Sequence, residues 1–291
     1  LPSGYSSSFP STITPVQDFS GSIHIMQIGN KKIVSALLCG LLMAGGASAQ
    51  QVIRFGTDAT YPPFESTTAS GEIVGFDIDL AKAMCEVMKA KCTFSNQAWD
   101  GIIPGLLAKK YDVIASSMSV TPERQKAVLF TKRIWATPNV FVGKAGIKQD
   151  TTVEALKGVD VGVQQATIQD RYLTKHYKDT NIKRYKTIEA AFADLATGRL
   201  KIVFSEAGAV MSLLESKQGK SYQTVGKPLT YEADTEIFGP GTGFALRKSD
   251  TKLAEEFNKA IDTIHANGTY KKLASKYFKF DVTPVKINGI P

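Results

Sequence analysis

A strand and helix pattern that runs, breaks and then restarts limits what this chain can fold into. In the first run Val52 to Gly56 reads as an apolar strand. Phe76, Leu80, Met84 and Val87 recur at helical spacing, Cys92 begins the next strand, and Asp112 to Ala115 is a short buried strand. Trp99 to Lys110 is an amphipathic segment interrupted by Pro104, and an apolar run covers Asn139 to Val142. From Leu156 the pattern starts again. Strands are expected at Val159 to Gln164, Lys183 to Thr187 and Leu200 to Phe204, and helices at Thr167 to Tyr177, Ile188 to Thr197 and Ala207 to Glu215. After Thr230 the sequence turns polar and loop-like. Gly243 to Arg247 is a further strand, Leu253, Phe257, Ile261 and Ile264 mark a helix that stops at Asn267-Gly268, and Tyr270 to Phe278 holds a last short helix. Alternation of this kind predicts an α/β protein with its ligand just outside the carboxyl ends of the strands.

Those strand ends carry the chemistry. After Asp112 to Ala115 come Ser116, Ser117 and Ser119, then Thr121 as an N-cap, Pro122 at the first helical position, and Arg124 about one turn in. Hydroxyls, unpaired N–H groups and a guanidinium can converge there on one small anion, a carboxylate above all. Alone, each serine would be a turn residue and Arg124 a surface charge; their joint placement favours a site. The other strand ends carry Asp58 with Tyr61, Gln165 to Gln169, and Ser205-Glu206. A carboxylate and an aromatic face opposite an anion site suit a zwitterion with an extra positive charge. Trp99 is either a second aromatic wall or a core residue. Gly239-Pro240-Gly241-Thr242-Gly243 precedes a strand instead of opening a helix, so it reads as a turn, not a phosphate loop.

The amino-terminal stretch reads as a targeting segment. Lys31-Lys32 precede an apolar run from Ile33 to Ala44 and the small-residue sequence Gly45-Gly46-Ala47-Ser48-Ala49, which predicts a signal peptide over 26–49 cleaved after Ala49. Leu38 before Cys39 argues against a lipoprotein site. Residues 1–25, rich in Ser, Pro and Thr, read as a non-native or disordered extension before Met26, and 283–291 as a loose tail. The full chain carries 35 basic and 27 acidic residues. Removing 1–49 takes away two lysines and Asp18, leaving 33 against 26 on 242 residues, a net charge of +7. Export and the absence of any long basic run exclude a nucleic-acid partner. Cys85 and Cys92, in an oxidising compartment, predict a disulfide. With no second Cys pair, and with His176 and His265 the only histidines left, no metal site is expected.

Gly56-Thr57-Asp58 with Tyr61-Pro62-Pro63-Phe64, Gly75 to Leu80, the Cys85 to Cys92 pair, Ser116 to Thr121, and Gly268-Thr269-Tyr270 before Lys276-Tyr277-Phe278 resemble the periplasmic polar amino-acid binding proteins of ABC transporters (solute-binding proteins, family 3). The likeness covers Gln51 to Val282 and is greatest to the lysine/arginine/ornithine and histidine branch. It implies a bilobed type II periplasmic-binding-protein fold: two β/α lobes joined by a hinge that the chain crosses twice. Lobe I would be residues 50–137 and 235–282, and lobe II residues 138–234. By position, Arg124, Ser119 and Ser117 would hold the ligand carboxylate and Asp58 the side-chain cation. Tyr61 and Trp99 would sandwich the aliphatic stem. Ser116 and, through water, Asp77 would meet the distal end, and Thr167 and Gln169 would close over the ligand. Three positions depart from the branch. Glu206 stands where an aspartate usually takes the α-ammonium, Ile168 replaces a threonine, and Gln164 replaces an apolar residue in the pocket wall. The resemblance implies a periplasmic, monomeric, cofactor-free binding protein, not an enzyme, that hands a cationic amino acid to a membrane permease. An opine-type ligand, or a prephenate or arogenate dehydratase on the same fold with Glu206 as general acid, stand as alternatives.

Overall fold

A computed structural model of the chain describes residues 50–284. The readings of 1–25, of the signal peptide 26–49 with its cleavage after Ala49, and of the tail beyond residue 284 lie outside the described residues. Strand β1 (Val52–Thr57) leads into a small three-stranded sheet of β2 (Thr60–Tyr61), β3 (Glu65–Thr67) and β4 (Ile73–Val74). Helix α1 (Phe76–Val87), β5 (Lys91–Asn96), a 3₁₀ turn (Trp99–Gly101), α2 (Ile102–Leu107), β6 (Val113–Ile114), α3 (Pro122–Ala127) and β7 (Val128–Phe130) follow. The chain then builds β8 (Asn139–Lys144), β9 (Asp160–Gln164), α4 (Ile168–His176), β10 (Asn181–Tyr185), α5 (Ile188–Thr197), β11 (Ile202–Glu206), α6 (Ala207–Glu215) and β12 (Tyr222–Leu229). It returns through β13 (Ala245–Arg247) to α7 (Thr251–Ala266) and α8 (Thr269–Tyr277).

These strands make two five-stranded sheets. One has the order β5-β1-β6-β13-β7 and the other β10-β9-β11-β8-β12. In each, the strands that carry the expected site residues run parallel to a neighbour: β1 beside β5 and β6, and β9 beside β10 and β11. Strand β13 joins the first sheet although it lies far along the chain, antiparallel to β6 and β7. Each sheet has its own core. Phe55, Phe244 and Phe257 meet edge to face under the first, and Phe141 stacks on Phe204 under the second. The Cys85–Cys92 disulfide ties α1 to β5. Among the described residues no helix is long and apolar enough to cross a membrane.

The structure departs from the sequence reading in a few places, each with a local cause. Pro104 is the third residue of α2, inside its first turn where no N–H is needed, so it does not interrupt the helix. Strand β10 begins two residues earlier than Lys183, set by its register with β9 from Asn181 opposite Asp160. Strand β12 has no alternating pattern: only Tyr222 and Val225 are buried, Gly226 takes φ 69°, and its pairing with β8 shifts between Val225 and Leu229. The glycine turn at 239–243 packs hard. A Cβ on Gly239, at φ 67°, would lie 2.1 Å from the Val120 carbonyl oxygen.

Candidate functional site

The ends of β1, β6, β9 and β11 converge on a cavity of about 260 Å³ between the two large sheets. Of the residues singled out from the sequence, Asp58, Tyr61, Trp99, Ser116, Ser117, Ser119, Arg124, Gln164, Thr167, Gln169 and Glu206 line it, as does Ile168. Asp77 does not; it sits one layer behind.

On the first sheet, the Asp58 N–H donates to Ser116 Oγ at 2.8 Å, which ties the end of β1 to the end of β6. The Asp58 carboxylate, 4 % exposed, accepts from Thr60 Oγ1 at Oδ1 and from Gln164 Nε2 at Oδ2, both at 2.8 Å. Burial raises its pKa, with Asp100 adding, and those two donors offset part of the rise. Ser117 takes φ 52°, a left-handed conformation unusual for a serine, and its N–H donates to Asp77 Oδ2 at 2.8 Å. Trp135 Nε1 donates to the other Asp77 oxygen at 2.7 Å. Both oxygens of Asp77 thus hold the wall in place, and burial pushes its pKa up to about 6.

Arg124 stands where the local signals put it. The Thr121 hydroxyl accepts from the Arg124 N–H at 3.3 Å, capping α3 with Pro122 at its start. The guanidinium donates through Nη1 to the Ser119 carbonyl at 3.0 Å and lies 5.1 Å from the centre of the Trp99 ring. Its pKa falls to about 10 through burial first and Arg171 second, which leaves it fully charged at neutral pH. Trp99 Nε1 donates across the cleft to the Ala166 carbonyl at 3.1 Å; the ring both lines the cavity and packs on the core of Ile102, Leu106 and Tyr111.

On the second sheet, Thr167 caps α4, accepting from the Asp170 N–H and donating to the Gln164 carbonyl at 2.8 Å. Gln169 Nε2 donates to Asn139 Oδ1 at 2.6 Å. Glu206 ends β11 and caps α6: Oε1 accepts from the Gly208 N–H at 3.1 Å, while Oε2, buried, has no partner. Burial pushes Glu206 up to about 8 against two backbone donors. The Tyr61 hydroxyl meets Ser205 Oγ at 3.2 Å across the cleft. Gln165, in a loop the sequence pointed to, turns away from the cavity and donates to Asp100 at 2.8 Å.

Glu65 is a wall residue that the sequence reading passed over. It follows Pro62-Pro63-Phe64 in a stretch read as a stiff loop; in β3 it is 1 % exposed, with Tyr61 as its cross-strand partner. Nothing in its sequence context separates it from a surface glutamate. Trp135, Asn139 and the 230–232 and 238–242 stretches also contribute wall. The whole arrangement sets one guanidinium against the buried carboxyls of Asp58, Glu65 and Glu206. Such a site can grip a molecule with a carboxylate at one end and cationic groups elsewhere. Among the described residues no group of acidic, His or Cys side chains is placed to hold a metal. His176 is engaged with Asp234 at 2.7 Å and His265 stacks on Tyr270, both outside the cavity wall.

Comparison with known proteins agrees with this geometry. The bacterial extracellular solute-binding proteins, family 3, match residues 53–280. The histidine-binding periplasmic protein of Escherichia coli K12 is 42 % identical over 259 residues, covering 87 % of this chain and 98 % of that protein. The L-arginine-binding protein of Pseudomonas aeruginosa is 39 % identical over 253 residues, covering 86 % and 96 %. A solved Salmonella typhimurium periplasmic binding protein with high arginine specificity superposes with a TM-score of 0.73 at 34 % identity, over 79 % of this chain and 100 % of that one.

Proposed function

The chain belongs to the bacterial extracellular solute-binding proteins, family 3, and from that premise we propose that it captures a cationic amino acid of the lysine, arginine, ornithine and histidine class in the periplasm and delivers it to an ABC permease. It is a binding protein, not an enzyme; its relatives are named for what they bind. The observation that carries the ligand class is the cavity wall itself, the half-buried Arg124 guanidinium facing the buried carboxyls of Asp58, Glu65 and Glu206. A ligand carboxylate on Arg124, Ser117 and Ser119 leaves the acids for the α-ammonium and the side-chain cation.

In this reading Asp58 meets the side-chain cation and Glu206 the α-ammonium, while Tyr61 and Trp99 hold the stem between them. Ser116 and Asp77 act by fixing the wall, and Thr167 and Gln169 approach from the other side. Residues 50–137 with 235–282 form one lobe and 138–234 the other. This assignment is supported by the way the two five-stranded sheets divide the chain between those segments. Closure is a hinge equilibrium that the ligand biases by touching both lobes at once. The protein works as a monomer that docks transiently on its permease, after cleavage of the leader behind Ala49. The deciding experiment is calorimetric titration of protein from Gln50 onward, unfolded and refolded to strip bound ligand, against lysine, arginine, ornithine, histidine, glutamine and octopine. Saturable binding of a basic amino acid, with neutral glutamine weaker, is expected. Binding of glutamine or octopine alone would overturn the reading.

A further inference from the structure

Glycine is the poorest helix former after proline, yet Gly208 is the second residue of α6, just past Glu206 at the end of β11. Its surroundings show why no side chain stands there. A Cβ built on Gly208 would lie 2.6 Å from Phe64 Cε2, closer still to Cζ, and 3.3 Å from Glu206 Oε2. Phe64 immediately precedes β3 and belongs to the core under the first sheet, whereas Ala207 and Val210 of α6 belong to a core of the second. The helix of one side therefore rests on a ring of the other. That ring has no room to yield. It is fully buried, stacks on Trp135 with centroids 4.1 Å and planes 10° apart, and meets Phe278 at 5.4 Å. Trp135 is in turn held by Asp77, whose own N–H donates to the Phe64 carbonyl at 3.0 Å. The start of α6 is fixed as firmly, with the Ala207 N–H on the Pro138 carbonyl at 2.8 Å and the Gly208 N–H on Glu206 Oε1. The rest of this seam is open or weak. Gly208 also borders a groove lined by Pro63, Met211, Phe278 and Phe280, and the Lys279–Glu215 pair on that groove has side chains 85 % and 46 % exposed.

We propose that Gly208 is a positioning residue for closure: its bare backbone against the boxed Phe64 ring is the buried stop that sets how near the two lobes come, and with that how far Glu206 reaches into the cavity. The inference rests on the binding-protein reading and deepens it. Neither Gly208 nor Phe64 lines the cavity, so both act through the geometry of closure and not through a contact with the ligand. A methyl group at 208 has room while the lobes are apart, where it also improves the helix. It meets the ring when they close. The substitution therefore shifts the hinge equilibrium toward the open form, whichever basic amino acid is offered.

The test compares wild type, Gly208→Ala, Phe64→Leu and the double variant by calorimetric titration with arginine and with lysine, by melting of the ligand-free protein, and by small-angle X-ray scattering with arginine at saturation. Gly208→Ala should fold and melt no lower than wild type. It should bind both ligands at least about tenfold more weakly, by the same factor, and keep a larger radius of gyration than wild type when saturated. Phe64→Leu removes the ring atoms that the methyl meets, so the double variant should bind arginine within about threefold of Phe64→Leu alone. Arginine affinity unchanged in Gly208→Ala would overturn the proposal, and so would a loss confined to one of the two ligands. A loss undiminished in the Phe64→Leu background would also overturn it, by placing the effect on the Glu206 carboxyl. Failure of Gly208→Ala to fold, as judged by circular dichroism, counts against it equally, since the open form has room for the methyl. Wild type that binds no basic amino acid is a different result, which sinks the functional reading and this inference with it.

Discussion

Replacing Asp58 by asparagine keeps the side chain's shape and removes its charge. In the structure this carboxylate is 4 % exposed and its oxygens accept from Thr60 and from Gln164, which reaches it across the cleft. Two consequences follow. A ligand cation loses a charge-assisted hydrogen bond, worth about 1.5–3 kcal/mol, or roughly 10- to 150-fold in affinity. The Gln164 bond survives if the new amide turns its oxygen toward Nε2, so closure itself is little affected. Arginine and its neutral isostere citrulline separate these effects, because they share shape and differ in charge. Titration of both ligands into both proteins forms a thermodynamic cycle. Arginine should weaken by that factor, citrulline by less than about threefold, and the coupling should lie near 1–3 kcal/mol. If Asp58→Asn weakens the two ligands equally, Asp58 acts only on closure. If arginine binding is unchanged, the side-chain assignment is wrong.

Acidity should tune both stability and binding. Asp77 rises from 3.8 to about 6 and Glu206 from 4.5 to about 8, each chiefly through burial. Both acids hold their protons more tightly folded than unfolded, so raising the pH from about 4 to 8 should lower the ligand-free melting temperature. A cation beside them offsets the cost of ionisation, so the stabilisation by arginine should grow over the same window; a shift constant from pH 5 to pH 8 would contradict this. Cys85→Ser with Cys92→Ser should cost about 2–3 kcal/mol in urea melts through the small loop they close, and leave arginine affinity within about twofold, since the bond joins α1 to β5 away from the cavity. Arg171→Ala removes the ion pair with Glu123 across the cleft mouth, whose side chains are 36 % and 60 % exposed. The pair is worth about 0–1 kcal/mol, so affinity should fall less than about fivefold, and the difference should vanish in 0.5 M salt. A larger or salt-independent loss would mean that the pair carries closure.

Strand-end chemistry was legible in the sequence because it is local. Thr121-Pro122 announces a helix start, and that start alone fixes Arg124 relative to Ser119. The four ends of β1, β6, β9 and β11 could be listed from apolar runs that stop at polar residues. What was hidden depends on pairing between distant segments. Glu65 becomes wall because β3 folds back on β2, with Tyr61 opposite it, and Gly75 lets α1 approach so closely that a Cβ there would lie 2.1 Å from the Phe64 carbonyl oxygen. The resemblance placed Asp77 at the distal end of the ligand, through water, but said nothing of what holds it. Its real partners, Ser117 and Trp135, lie 40 and 58 residues away. Strand β12 was invisible because an edge strand with two buried side chains and a register shift has no period to read.

The one hidden acid, Glu65, joins Asp58 and Glu206, which the sequence showed, in an acidic wall that would make closure conditional on a ligand. The hydrogen bonds Gln164–Asp58, Trp99–Ala166, Tyr61–Ser205 and Gln165–Asp100 join the two sides of the cleft, and in the proposed hinge equilibrium they would favour closure. Against them, the proposed closure would gather Glu206 of one sheet with Asp58 and Glu65 of the other, all three of which are buried in the structure. Uncompensated, that gathering of acids would oppose closure through desolvation and like-charge repulsion, unless protons stay on. A molecule carrying positive charge removes the opposition and leaves the hydrogen bonds. A neutral amino acid of the same length could make every contact to Arg124 and still leave the acids unmatched. Selectivity for cations would then arise as much from the price of closing on a neutral ligand as from any single ion pair.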